Sequence, residues 1–290
     1  MLNVAGPCKH GAVRRRTFAV LTAAVAAIAG VIALPARWCA AAGPTGTSRL
    51  AISPSTTQLI VGVADDWASN RVILTRFERR PGGTWAQIGP GIAARLGING
   101  LAWGRGLIEF GGVSNVADST GPEKVEGDGR APAGIFRLET VYAYEAAWGK
   151  RTAMPFVAVG ANDLFVEDPS SDSYNTHIRL DHAPATAWEK KQQMEQGDAA
   201  HRLKVFVGHN SHPPTPGRGS AIFLHVWRKR GAVPTTGCTA MSFESLKVVV
   251  RWLRPSANPA YVLLPKRVYQ SVRSAMDLPR SNGNDAVSPT

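Results

Sequence analysis

Glycine and proline recur along the whole chain, 29 and 20 times in 290 residues, and the apolar residues fall in short runs between them. Glycine costs backbone entropy inside a regular element and proline removes a donor, so long helices are excluded from most of this sequence. Short strands joined by turns are what such punctuation allows. Seven runs read as strands: residues 58–63, 71–77, 135–141, 156–159, 204–207, 221–227 and 261–264. Each is apolar, alternating or continuous, over four to seven residues. Two helices are expected, at 187–196 and 243–253. The second starts after Ser242 as N-cap, carries Glu244 in its first turn and stops before Pro255. Its Leu246, Val249, Val250 and Leu253 repeat at the spacing of one helix face. The fold class is therefore mostly β (α+β), with a few short helices.

The first 42 residues have a different character. Arg14-Arg15-Arg16 precedes an apolar run from Phe18 to Leu34, and Ala40-Ala41-Ala42 closes the segment. A basic head, an apolar middle and a small-residue exit make an export signal, and Arg15-Arg16-Thr17-Phe18 resembles a twin-arginine motif. An uncleaved anchor is the rival, but 17 residues are at the short limit for crossing about 30 Å of hydrocarbon. The expectation is export to the periplasm or cell wall with cleavage after residue 42. No repeat and no Pro- or Ser-rich linker divides the remainder, so 43–280 reads as a single domain and 281–290 as a flexible tail.

Cleavage would leave Cys238 alone, because Cys8 and Cys39 lie in the signal. A lone cysteine in an oxidising compartment is either packed as a small hydrophobe or put to use. The signal also holds five basic residues and no acid, so its loss lowers the net charge from +12 to +7. A basic exported protein is drawn to anionic surfaces such as cell-wall polymers. The basic residues are scattered without an aromatic-basic motif, which argues against nucleic acid.

The residues around Cys238 point to use. His225 lies near the end of the 221–227 strand, a basic loop follows, and Pro234-Thr-Thr-Gly237-Cys238 ends it. A loop of that length can bring Cys238 back beside the strand. An imidazole there would take the thiol proton and hold a thiolate–imidazolium pair, then return the proton to a leaving amine. Gly237 permits a tight turn, and the Gly237 and Cys238 amides would stabilise an oxyanion, at about 3 kcal/mol each.

The same segment resembles the catalytic core of the L,D-transpeptidase family (the YkuD fold). Glu126-Gly-Asp-Gly-Arg-Ala-Pro-Ala-Gly-Ile-Phe136 is similar to that family's Gly-Asp-Gly-x-Thr-Pro-x-Gly-x-Phe segment, with Ala131 at the usual Thr. Asp168-Pro-Ser-Ser-Asp-Ser-Tyr174-Asn175 and Gly219-Ser220-Ala-Ile-Phe-Leu-His225 resemble stretches of one branch. The resemblance implies a β-sandwich and an acyltransferase that forms a Cys238 thioester with a peptidoglycan stem peptide and passes it to an amine. His225 would be the base and Gly237 an oxyanion donor, with Thr236, Ser220, Tyr174 and Asn175 around the substrate. Thr236 stands where most members have a second His, and Ala240 where many have Arg or Asn. Hydrolysis of the same acyl-enzyme, and a wall-binding module without turnover, are the alternatives.

Neither metal nor cofactor is called for. His209-Asn-Ser-His212 lacks further ligands and reads as a polar loop, and His177 and His182 read as surface residues. Gly127-Asp128-Gly129 lacks the Gly-Lys-Ser/Thr of a nucleotide loop and reads as a turn ordered by Asp128. Trp148, Trp188 and Trp252 are candidates for a groove, with core packing the commoner role.

Overall fold

A computed structural model describes residues 52–110 and 116–280. The proposed export signal and the 281–290 tail lie outside the described residues. Five strands come first: β1 Gln58–Ala64, β2 Arg71–Glu78, β3 Ala86–Gln87, β4 Ile92–Arg95 and β5 Leu101–Trp103. The long β6, Ala131–Ala143, is followed by β7 Phe156–Ala158, β8 Asp163–Phe165 and β9 His177–Arg179. Helix α1, Ala187–Gln192, leads to β10 Leu203–Val207, β11 Phe223–Val226 and β12 Thr239–Met241. Helix α2 Phe243–Trp252, β13 Ala260–Pro265 and helix α3 Lys266–Val272 complete the described order.

The protein is mostly β, as the punctuation required. The main sheet runs β1-β13-β6-β10-β11-β12-β4-β2, and β2 pairs back onto β1. Eight strands thus close into a barrel, and closure removes the open edges that a free sheet would expose. β5 and β7 are added alongside β6, and β3 alongside β2.

Alternation along β10, β11 and β12 sorts side chains between two environments. Leu203, Val205, Val207, Leu224, Val226 and Met241 point into the main core. Phe206 and Phe223 belong to a second cluster with Tyr142, Val159, Phe165 and Met194, and the half-buried Cys238 packs against it. The candidate nucleophile therefore lies on the outer face of the barrel wall.

The connection from β11 to β12 does not simply reverse the chain. The two strands are parallel, Leu224 opposite Thr239 and His225 opposite Ala240. A parallel neighbour requires a crossover of about a dozen residues, which is what the loop supplies. The expected 221–227 strand starts only at Phe223, because Ala221 sits at φ +52, outside strand geometry.

Helix α2 matches its expectation. Ser242 Oγ accepts from Ser245 N at 3.0 Å, and Leu246, Val249 and Val250 are buried, each contributing about 1.5–3 kcal/mol. Helix α1 ends at Gln192, four residues before the expected end. Its start is held by a reciprocal Thr186–Glu189 capping box. Beyond it, the Gln193 amide is drawn to Ala161 O (2.9 Å) and Met194 turns into the aromatic cluster, so tertiary contacts override helix extension. Helix α3 was not expected; Val268, Tyr269 and Val272 bury its inner face.

Candidate active site

Cys238, His225, Gly237, Thr236 and Ser220 line one cleft of about 610 Å³ on the outer face of the wall. Tyr174 and Asn175 do not line it; they stand behind it. The Asn175 amide donates to His209 O (2.9 Å) and Asn210 O (2.7 Å) and accepts from Ala221 N (3.0 Å). Its polar atoms are thus engaged inside the protein. The Tyr174 hydroxyl donates to Glu126, whose same carboxylate oxygen accepts from Ser220 Oγ at 2.8 Å. Burial raises the Tyr174 pKa and keeps it a neutral donor.

The nucleophile turn is tied by Thr235. Its hydroxyl donates to Cys238 O (2.7 Å) and accepts from Gly237 N (3.1 Å), while its backbone pairs with Leu96 O and Ile98 N. Gly237 adopts φ +152, and a Cβ there would lie 3.2 Å from Arg130 O. Because the Gly237 amide is bonded to Thr235, an oxyanion role for it requires that bond to be exchanged. Asp128 orders the neighbouring turn as expected, accepting from Arg130 N and Val125 N and pairing with Lys124 at 2.6 Å.

Burial disfavours the charged form of both the thiol and the imidazole. Sγ donates to Ala221 O and accepts from Phe223 N, each at 3.4 Å, and burial pushes the thiol up to about 11. The buried His225 ring is pulled down to about 4 by desolvation and by the neighbouring His201. Both shifts oppose the thiolate–imidazolium pair expected from the sequence. His225 Nδ1 lies 2.9 Å from Val226 O; a carbonyl only accepts, so Nδ1 carries the proton and Nε2 keeps its lone pair. That tautomer is the one a general base needs.

Several residues of the cleft escaped the sequence reading. His201 stacks on His225 with ring centroids 5.4 Å apart, and Asp198 fixes it through Nδ1 at 2.8 Å. Against burial, hydrogen bonds from Arg228 and His201 hold the Asp198 carboxyl down at about 2. Lys204, opposite His225 on β10, is buried in the same cleft. Lys204 was legible in one respect: alternation along Leu203–Val207 puts it on the face opposite the core residues. His201 and Thr235 had no such signal, since both belong to irregular segments.

The proposed polar-loop His209 is instead fully buried, packed edge-on against Phe136 at 5.8 Å. Its Nδ1 accepts from Arg105 N (3.2 Å) and its Nε2 faces Arg218 O (3.0 Å), while His212 turns away to Glu139 (3.0 Å). His177 is likewise not a free surface residue; its Nε2 lies 2.7 Å from the buried Asp163. His182 is exposed as expected. Trp148 is core, Trp252 packs against the core, and Trp188 is exposed with its indole on Asp168. None of the three lines the cleft.

The family model for the L,D-transpeptidase catalytic domain (YkuD) matches residues 111–262. The chain belongs to the YkuD family. The match runs from before β6 into the first half of β13 and includes His225, Cys238, His201 and Lys204. Strands β1, β2 and β4, which close the barrel, precede it, so this YkuD domain is completed by chain outside the matched segment. Neither a curated protein nor a solved structure shows a significant match.

Proposed function

We propose that this YkuD-family protein is a cysteine acyltransferase of the L,D-transpeptidase type, acting outside the cytoplasm on peptidoglycan stem peptides. The observation that carries the reading is one cleft lined by a thiol and by an imidazole whose tautomer leaves Nε2 free to accept a proton. In the proposed reaction Nε2 takes the Sγ proton as sulfur attacks the carbonyl before a terminal D-amino acid. The carbonyl π pair moves to oxygen, where backbone amides of the 236–238 turn stabilise it. The imidazolium then protonates the departing amine, leaving a thioester. An amine of a second stem attacks that thioester, and the thiol regains its proton. The aromatic floor formed by Phe165, Phe206 and Phe223 would support the donor's apolar parts.

The test is to incubate the purified chain with a stem tetrapeptide and seek the acyl adduct on the Cys238 peptide by mass spectrometry. The adduct should form, and should vanish in Cys238→Ser and His225→Ala. Binding without an adduct would leave a wall-binding module. If the adduct forms, adding an amine acceptor separates transfer from hydrolysis. Export is tested by fractionating cells that express the full chain; a wholly cytoplasmic, unprocessed product would sink that part.

A further inference from the structure

Three strands lay out the floor of the cleft. On β10, β11 and β12 the facing residues are Lys204, His225 and Ala240 in one row. In the next row Phe206 faces Phe223, and Cys238 follows in register. Lys204 is only 3% exposed, and its ammonium has no carboxylate partner among the described residues. Its hydrogen bond goes to Met194 O at 3.3 Å, and Nζ lies 5.2 Å from the centroid of the Phe223 ring. The backbone N–H of that same Phe223 is the donor to Cys238 Sγ. A buried cation with one carbonyl for company is costly to keep. Packing alone would be served as well by methionine.

We propose that Lys204 is the positioning cation for Cys238: it offsets the negative charge that appears on Sγ when the thiol loses its proton, and it keeps its own proton throughout. The role rests on Cys238 being the nucleophile. It compensates for an imidazole too deeply buried to hold charge at rest. Burial brings the Lys204 pKa down to about 8, while Cys238, Asp198 and Glu167 oppose that fall, so the ammonium is charged at neutral pH. Of the other charged groups that act on the sulfur, Glu167 disfavours the thiolate, whereas Lys124 favours it but is engaged by Asp128. His225 and His201, both lowered, add no standing charge there.

Iodoacetamide, a neutral alkylating agent, reads the thiolate without any acyl donor. In the full chain, alkylation is followed on the Cys238 peptide by mass spectrometry across pH 6–7.5, below the lysine's own pKa. Lys204→Met should slow it roughly tenfold throughout that range, the low end for losing a nearby opposite charge. Its melting temperature should equal or exceed the parent's, because the buried charge is gone. Lys204→Arg keeps the charge and should recover most of the rate. Alkylation of Lys204→Met at the parent's rate would overturn the proposal. So would faster alkylation with a lower melting temperature, which marks a packing role. A folded Lys204→Arg that reacts like Lys204→Met would do the same. Slowed alkylation as expected, in a chain that forms no thioester, would refute the proposed reaction and leave the role of Lys204 standing.

Discussion

Asn175 separates a substrate contact from a structural brace more cleanly than any other residue near the cleft. Its side chain makes three hydrogen bonds at 2.7–3.0 Å, is 3% exposed, and stands on a backbone with φ +58. Asn175→Ala removes all three bonds and strands two carbonyls and one amide. Net losses of about 1 kcal/mol per bond come to about 3 kcal/mol. Placing alanine in the left-handed region adds roughly 1 kcal/mol. The total, about 4 kcal/mol, is a large fraction of the 5–15 kcal/mol typical of a folded domain. For a domain of this size it corresponds to a fall of roughly 8–16 °C in melting temperature. Circular dichroism on the parent, Asn175→Ala and Asn175→Gly measures it, and glycine should recover roughly 1 kcal/mol by tolerating the positive φ. Function should follow through Ala221, whose N–H is held by Asn175 and whose carbonyl accepts the Cys238 thiol. Acylation kcat should therefore fall more than KM rises. An Asn175→Ala chain that melts within about 2 °C of the parent, with KM raised tenfold, would refute the reasoning and return Asn175 to the substrate.

Three further outcomes are expected. With His225 held neutral down to about 4, the acid limb of kcat/KM for acylation should lie near pH 4; a limb near 6.5 would indicate an unperturbed imidazole or a standing ion pair. Because the folded pKa values of His225 and His209 are depressed, the unfolded chain binds protons first, so stability is full above about 6.5 and drains as pH falls toward 4 and then 3, which acid titration of unfolding will show. Far from the cleft, Glu78 accepts from Gln58 (3.0 Å), Trp252 (2.7 Å) and Arg254 (2.8 Å). Glu78→Ala should cost about 1–2 kcal/mol in chemical denaturation, discounted for partial exposure, with Cys238 acylation unchanged.

The strand-rich fold was legible because its longer strands are periodic. Residues 58–63, 71–77 and 204–207 fall inside β1, β2 and β10, whose apolar runs are long enough to show a pattern. Barrel closure was not legible, because it depends on β4 and β12, four and three residues long, and on β2 turning back to β1. The cleft divides in the same way. Cys238, His225 and Gly237 stand out by residue type and spacing. Asn175 and Tyr174 were noticed through a likeness of segments, which does not distinguish a residue that touches a ligand from one that ties the loops behind it. His201 was missed because its stacking on His225 joins a loop to a strand 24 positions on, and no local pattern encodes that contact.

The burial that hides the cysteine also sets how it must work. Burial pushes the thiol up to about 11, which disfavours a standing thiolate at pH 7. In the proposed reaction proton transfer to Nε2 then accompanies attack, and the Nδ1–Val226 bond that fixes the tautomer matters as much as the base itself. Charge created in that proposed step lies against a half-buried aromatic wall, where a single ammonium has more effect than it would in water. This bears on the two positions near the cysteine, 236 and 240, that depart from the family pattern. Thr236 is exposed at the cleft rim, whereas Ala240 is buried directly opposite His225. An arginine at 240 would sit beside the imidazole and, as Lys204 already does from β10, disfavour its protonation. Alanine there spares the imidazole a second cation in its own row, so the base keeps more of its capacity to receive the proton while Lys204 answers the charge on sulfur.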